Sequence, residues 1–67
     1  MIKFQYQNEG RGMWHVTWVQ SGKQRDVWAQ GSKKEATEEA LIAGLAIAIM
    51  NRDDLTIEYC EKKLGRR

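Results

Sequence analysis

The side chains best equipped for chemistry in this chain are one histidine, one cysteine and three tryptophans set among cations. His15 and Cys60 are expected on the same outer face of a sheet. Two ligands without a carboxylate beside them make a poor metal site, because zinc normally takes four. As a nucleophile–base pair they would need an orienting third group and a cleft, and an open sheet face offers neither. No cofactor and no metal are therefore expected, and no catalytic residue is assigned. The tryptophans divide by strand position. Trp14 and Trp18 share a face with Val16 and are expected in the core. Trp28 falls on the opposite face among Asp26, Gln30, His15 and Thr17, where it is expected either to pack across strands or to meet a partner.

The elements that must position these groups follow from the apolar pattern. Ile2, Phe4 and Tyr6 alternate with Lys3, Gln5 and Gln7, which is the period of a half-buried strand. Asn8-Glu9-Gly10-Arg11-Gly12 is turn chemistry. Met13–Gln20 reads as a second strand, Ser21-Gly22-Lys23 as a hairpin, and Gln24–Gln30 as a third strand. Ser32 followed by Glu35 fits a capping box and opens a helix from about Lys33 to Met50. Asn51-Arg52-Asp53-Asp54 closes it. Leu55–Cys60 alternates again and predicts a fourth strand. The resulting fold class is α+β, a four-stranded sheet in β-β-β-α-β order with strand order 3-2-1-4 and one helix on one face. Residues 1–60 form a single domain and residues 61–67 a charged tail. The expected core is Phe4, Tyr6, Trp14, Val16, Trp18, Val27, Ala36, Ala40, Ala43, Ile47, Leu55 and Ile57.

The helix carries an unusual load. Ala40 to Met50 contains no polar side chain. A helix lying on a sheet hides one stripe and wets the other, so Ile42, Leu45 and Ile49 are expected to be left on the far side. The run is too short for a bilayer, which takes about 20 apolar residues. Those three residues are accordingly the candidate oligomer interface, with a homodimer as the simplest cover.

A chain of 67 residues supports one domain and a thin core. A single cysteine cannot form an internal disulfide, which suits a reducing, cytoplasmic setting, and the N-terminus reads as strand and not as a leader. The net charge of +2 excludes an acidic nucleic-acid mimic and is weak grounds for a nucleic-acid binder. Residues 1–34 hold six basic and two acidic side chains (+4), and residues 35–67 hold five basic and seven acidic (−2). Such a dipole can steer association.

Two resemblances bear on this order of elements. Gly12-Met13-Trp14-His15-Val16-Thr17-Trp18-Val19, with Gly31-Ser32 and Ala40–Met50, resembles the second and third strands and first helix of ribonuclease H, whose fold this order would half complete. That enzyme holds two metal ions with carboxylates on its first strand, its helix and after its fourth strand. The matching positions here are Gln5 or Gln7, Glu38 or Glu39, and Tyr59 or Cys60, so the resemblance implies the half-fold without the metal site. Trp14-His15-Val16 and Gly31-Ser32-Lys33-Lys34-Glu35-Ala36 are similar to HicB-type antitoxin domains. That likeness implies a non-catalytic, protein-binding, often dimeric domain, and small phage inhibitors are built on similar units.

Together these readings give a small non-enzymatic binding protein. The expectation is an antitoxin-like or phage-inhibitor-like regulator or inhibitor that occludes an unidentified protein target as a homodimer. Trp28, His15, Arg25, Lys23 and Arg11 are the candidate partner contacts. The alternative is a nucleic-acid-binding module using Arg11, Lys23, Arg25, Lys33 and Lys34 as a basic edge, with Trp28 stacking on bases.

Overall fold

The computed structural model describes residues 2–65. Strands β1 (Gln5–Gly10), β2 (Met13–Gln20) and β3 (Lys23–Gln30) are followed by helices α1 (Lys33–Met50) and α2 (Asp54–Lys63). The strands form one antiparallel meander in the order β1-β2-β3. The two helices build the second layer. α1 packs on β3 and β2, and α2 packs on α1.

This corrects the expected fold class. There is no fourth strand among the described residues, so the order is β-β-β-α-α and the sheet is three-stranded. The segment Leu55–Cys60 supports two periods at once. Leu55, Ile57 and Tyr59 alternate, but Ile57, Cys60 and Leu64 recur at spacings of three and four, which is helical. The cap decides between them. The Asp53 carboxylate accepts from the Thr56 amide at 3.3 Å and from the Thr56 hydroxyl at 2.6 Å, an N-cap in the usual sense. These bonds hold the Asp53 carboxyl below its ordinary 3.8, the hydroxyl contributing most. As a result Leu55, expected in the core, stands 77% exposed on the outer side of α2.

The hairpin joining β2 to β3 is tight because Ser21 and Gly22 both adopt positive φ (54° and 73°), the mark of a type I′ turn. It sets an unbroken register from Gln20↔Lys23 to Met13↔Gln30. β1 pairs less regularly, with a bulge between Asn8 and Gly10.

α1 begins and ends where the sequence pattern places it. Ser32 Oγ accepts from the Glu35 amide at 3.2 Å, and Glu35 Oε1 accepts from the Ser32 amide at 2.9 Å, completing the capping box. α2 changes which side of α1 is inside. With the sheet on one side and α2 on another, the buried arc covers Ala36, Ala40, Leu41, Gly44, Leu45 and Ala48. Leu45, assigned by one-sided packing to an exposed stripe, is only 7% exposed and belongs to the core.

Val16 and Cys60 are the largest side chains sealed from solvent. Ile2, Trp18, Ala29, Ala36, Ala40, Leu41 and Leu45 cluster with them, and Phe4, Tyr6, Trp14, Val27, Ala43, Ile47 and Ile57 pack around the cluster. One polar group lies within it. Gln20 accepts from Trp18 Nε1 at 2.8 Å and donates to the Gly44 carbonyl at 2.8 Å, tying β2 to the middle of α1. A side chain at Gly44 would meet Gln20 Oε1 and Ile2 Cδ1, each at 3.3 Å, and Cys60 Sγ at 3.7 Å. Among the described residues no buried side-chain nitrogen or oxygen lacks a partner. No helix among them is long and apolar enough to cross a membrane.

Candidate functional site: the open face of the sheet

α1 covers one face of the sheet, with α2 packed against α1, and the other face is open. Strand pairing fixes its membership. Gln5 and Gln7 come from β1, Met13, His15, Thr17 and Val19 from β2, and Gln24, Asp26, Trp28 and Gln30 from β3. These ten residues carry one formal charge, that of Asp26.

The centre of the face is an aromatic pair. His15 lies directly opposite Trp28 in the register, and their rings stack with centroids 4.1 Å apart and planes 10° from parallel. The turn geometry explains the closeness. A two-residue hairpin makes Gln20↔Lys23 a hydrogen-bonded pair, so alternate pairs, including His15↔Trp28, are the non-hydrogen-bonded kind in which side chains come nearest. His15 Nε2 also meets Asp26 Oδ2 at 2.9 Å, a diagonal neighbour on β3. Trp28 remains 55% exposed, and Val19, opposite Gln24 nearer the hairpin, 66%. Its indole N–H has no partner among the described residues. By contrast, Trp14 donates to the Gly31 carbonyl at 2.9 Å and Trp18 to Gln20.

Of the five expected contact residues, the structure brings His15 and Trp28 together and disperses the cations. Arg11 lies in the β1–β2 turn, held at the α1 end of the sheet by the Gly31 amide bond to the Gly12 carbonyl (2.7 Å). Lys23 lies at the opposite end of β2, whose eight residues at about 3.3 Å each separate the two by roughly 25 Å. Arg25 faces the helix side, and its Nε donates to the Gln20 carbonyl at 3.3 Å. Lys33 sits 4.6 Å from the centroid of the Tyr6 ring. The expected single basic edge is therefore not assembled. Asp26 is the partner that the residue pattern did not single out. Its place two residues from Trp28 on the same face was legible, but the diagonal reach to His15 was not.

Cys60 does not share this face. It is fully buried between α2 and α1, beside Gly44. Burial, with the nearby Asp53 charge, pushes its thiol above the ordinary 9.0. Among the described residues no three His, Cys, Asp or Glu side chains are grouped to hold a metal ion. A groove of about 250 Å³ is lined by Ile2, Asp53, Leu55, Thr56 and Tyr59, and its one carboxylate is already bonded to Thr56.

The far side of α1 keeps an apolar stripe, with Ile42 at 42%, Ile49 at 56% and Met50 at 83% exposed. Two of the three expected interface residues are thus at the surface, and Leu45 is not. No family model, curated protein or solved structure matches this chain.

Proposed function

We propose that this is a non-enzymatic binding protein that recognises another protein with the open face of its sheet and acts by covering that partner's surface. The composition of the face carries this reading. Trp28, His15, Met13 and Val19 supply aromatic and apolar contact, and Gln5, Gln7, Gln24 and Gln30 supply a neutral polar surround. Protein interfaces favour this blend, with aromatic residues and methionine enriched and lysine and glutamate depleted. Protein surfaces that bind nucleic acid are strongly positive, and the only formal charge here is negative. Trp28 is suited to the role of anchor because it is large, held by the His15 stack and still open to contact. An antitoxin-like or phage-inhibitor-like role is the form this reading takes if the likeness of Trp14-His15-Val16 and Gly31-Ser32-Lys33-Lys34-Glu35-Ala36 to HicB-type domains extends to function. The free thiol of Cys60 supports a reducing, cytoplasmic setting.

The test is a paired capture from host lysate with the wild-type chain and Trp28→Ala. The expected result is a protein retained by the first and lost by the second, with the fold of both unchanged by circular dichroism. Nucleic acid retained equally by both, with affinity falling steeply as salt rises, would contradict it.

A further inference from the structure

We propose that the free edge of β3 pairs with the same edge of a second copy about a two-fold axis, joining two sheets into one of six strands. The sheet has two edges, and they are not alike. β1 is six residues long and interrupted by a bulge near Gly10, a device that blunts an edge. β3 is eight residues long, with no glycine, proline or bulge. The same turn argument that explains the His15–Trp28 contact identifies its free groups. Lys23, Arg25, Val27 and Ala29 direct their backbone N–H and C=O groups to β2, so Gln24, Asp26, Trp28 and Gln30 direct theirs outward. None of these outward groups is bonded to a loop or helix among the described residues.

A second copy fits this edge in one symmetric register better than in its neighbours. An antiparallel pair about a dyad at Val27 sets Asp26 opposite the partner's Trp28 and Gln24 opposite the partner's Gln30. Every outward-directed residue then has a counterpart. Moving the dyad to Asp26 opposes two carboxylates, which is destabilising. Moving it to Trp28 leaves Gln24 without a counterpart in the other strand. In the favoured register the two His15–Trp28 pairs lie side by side on one continuous face, each with the other copy's Asp26 across from its indole. The recognition surface is doubled, although the edge pairing stands whether or not that surface binds a protein.

The experiment is light scattering behind a sizing column over a wide concentration range, using synthetic chains. The wild type is expected at twice the chain mass. A methyl group on the Asp26 backbone nitrogen, which removes one outward donor and leaves every side chain intact, is expected to give the single mass. The same methyl on the Tyr6 nitrogen, on the β1 edge, and the substitution Ile49→Glu are both expected to leave the doubled mass. A wild-type monomer at every concentration overturns the proposal. So does a dimer that survives methylation at Asp26, or one that Ile49→Glu dissolves, which would assign the contact to α1. Should the methylated chain fail to fold, amide exchange of the wild type decides. The Asp26 and Trp28 amides should lose protection on dilution while Val27 and Ala29 keep theirs, and rapid exchange of Asp26 and Trp28 at all concentrations overturns the pairing.

Discussion

β2 presents two faces made from neighbouring residues, and they are finished to different degrees. On the helix side, Trp14, Val16, Trp18 and Gln20 form a closed system in which each indole N–H has an acceptor and Gln20 bridges strand to helix. On the open side, which Met13, His15, Thr17 and Val19 share with Trp28, only His15 stacks on the Trp28 ring, which is over half exposed and whose N–H has no partner among the described residues. Both faces are rich in aromatic carbon. Only the first has its polar atoms accounted for by the fold, and the second is the place to look for a partner.

The comparison is broken most forcefully from the inside. Trp18→Ala should cost about 3–5 kcal/mol, enough to unfold much of a domain this size. Leu45→Glu should abolish folding outright, since it buries a charge with no partner. Trp28→Ala removes only the stack on His15, about 0.5–1.5 kcal/mol. Urea denaturation of the three chains checks the ranking, and a Trp28→Ala loss as large as that of Trp18→Ala would erase the distinction between the faces.

A narrower probe is Gln20→Leu. It leaves the Trp18 indole N–H without its acceptor and removes the donor to the Gly44 carbonyl, so a loss of about 1–3 kcal/mol is expected. Thr17→Val, on the open face two residues from His15, should change stability by less than about 0.5 kcal/mol. Away from both faces, Ser32→Ala should cost about 1 kcal/mol by removing the α1 cap, read as a drop in thermal midpoint.

The smallest effect is one of pH. The Cys60 thiol ionises less readily folded than unfolded. Above about 9.0 the unfolded chain therefore releases its thiol proton first, and stability falls as pH rises through that range. Cys60→Ser or Cys60→Ala should remove this part of the alkaline slope. Iodoacetamide should also modify Cys60 slowly in the native protein and fast in urea.

How much of this could be read from the residues depends on which signals were single-valued. The alternation of Met13–Gln20 put Trp14 and Trp18 inside and His15 outside, and Ser32 with Glu35 located the start of α1. Leu55–Tyr59 was ambiguous because its apolar residues satisfy a strand period while Ile57, Cys60 and Leu64 satisfy a helical one. The side-chain bonds of Asp53 to Thr56, which settle it, are a three-dimensional fact. Treating α1 as covered only by a sheet left Leu45 outside, whereas α2 widens the buried arc to include it and also takes in Cys60. The alternation of β2 and β3 places His15 and Trp28 on the open face, but Cys60, expected there too, is buried, and the His15–Asp26 bond depends on a diagonal reach that sequence spacing does not encode. The cations failed as a group because position along β2, and not proximity in sequence order, sets how far apart Arg11 and Lys23 lie.

The most direct test of the open face as the recognition surface is site-specific photo-crosslinking in the host cell. A photoreactive residue is placed at Trp28 in one chain and at Ile49 in another. The account predicts a discrete adduct with a foreign protein from position 28 and none of that size from position 49. An adduct with that protein from position 49 alone, or crosslinks from position 28 only to nucleic acid, would contradict it.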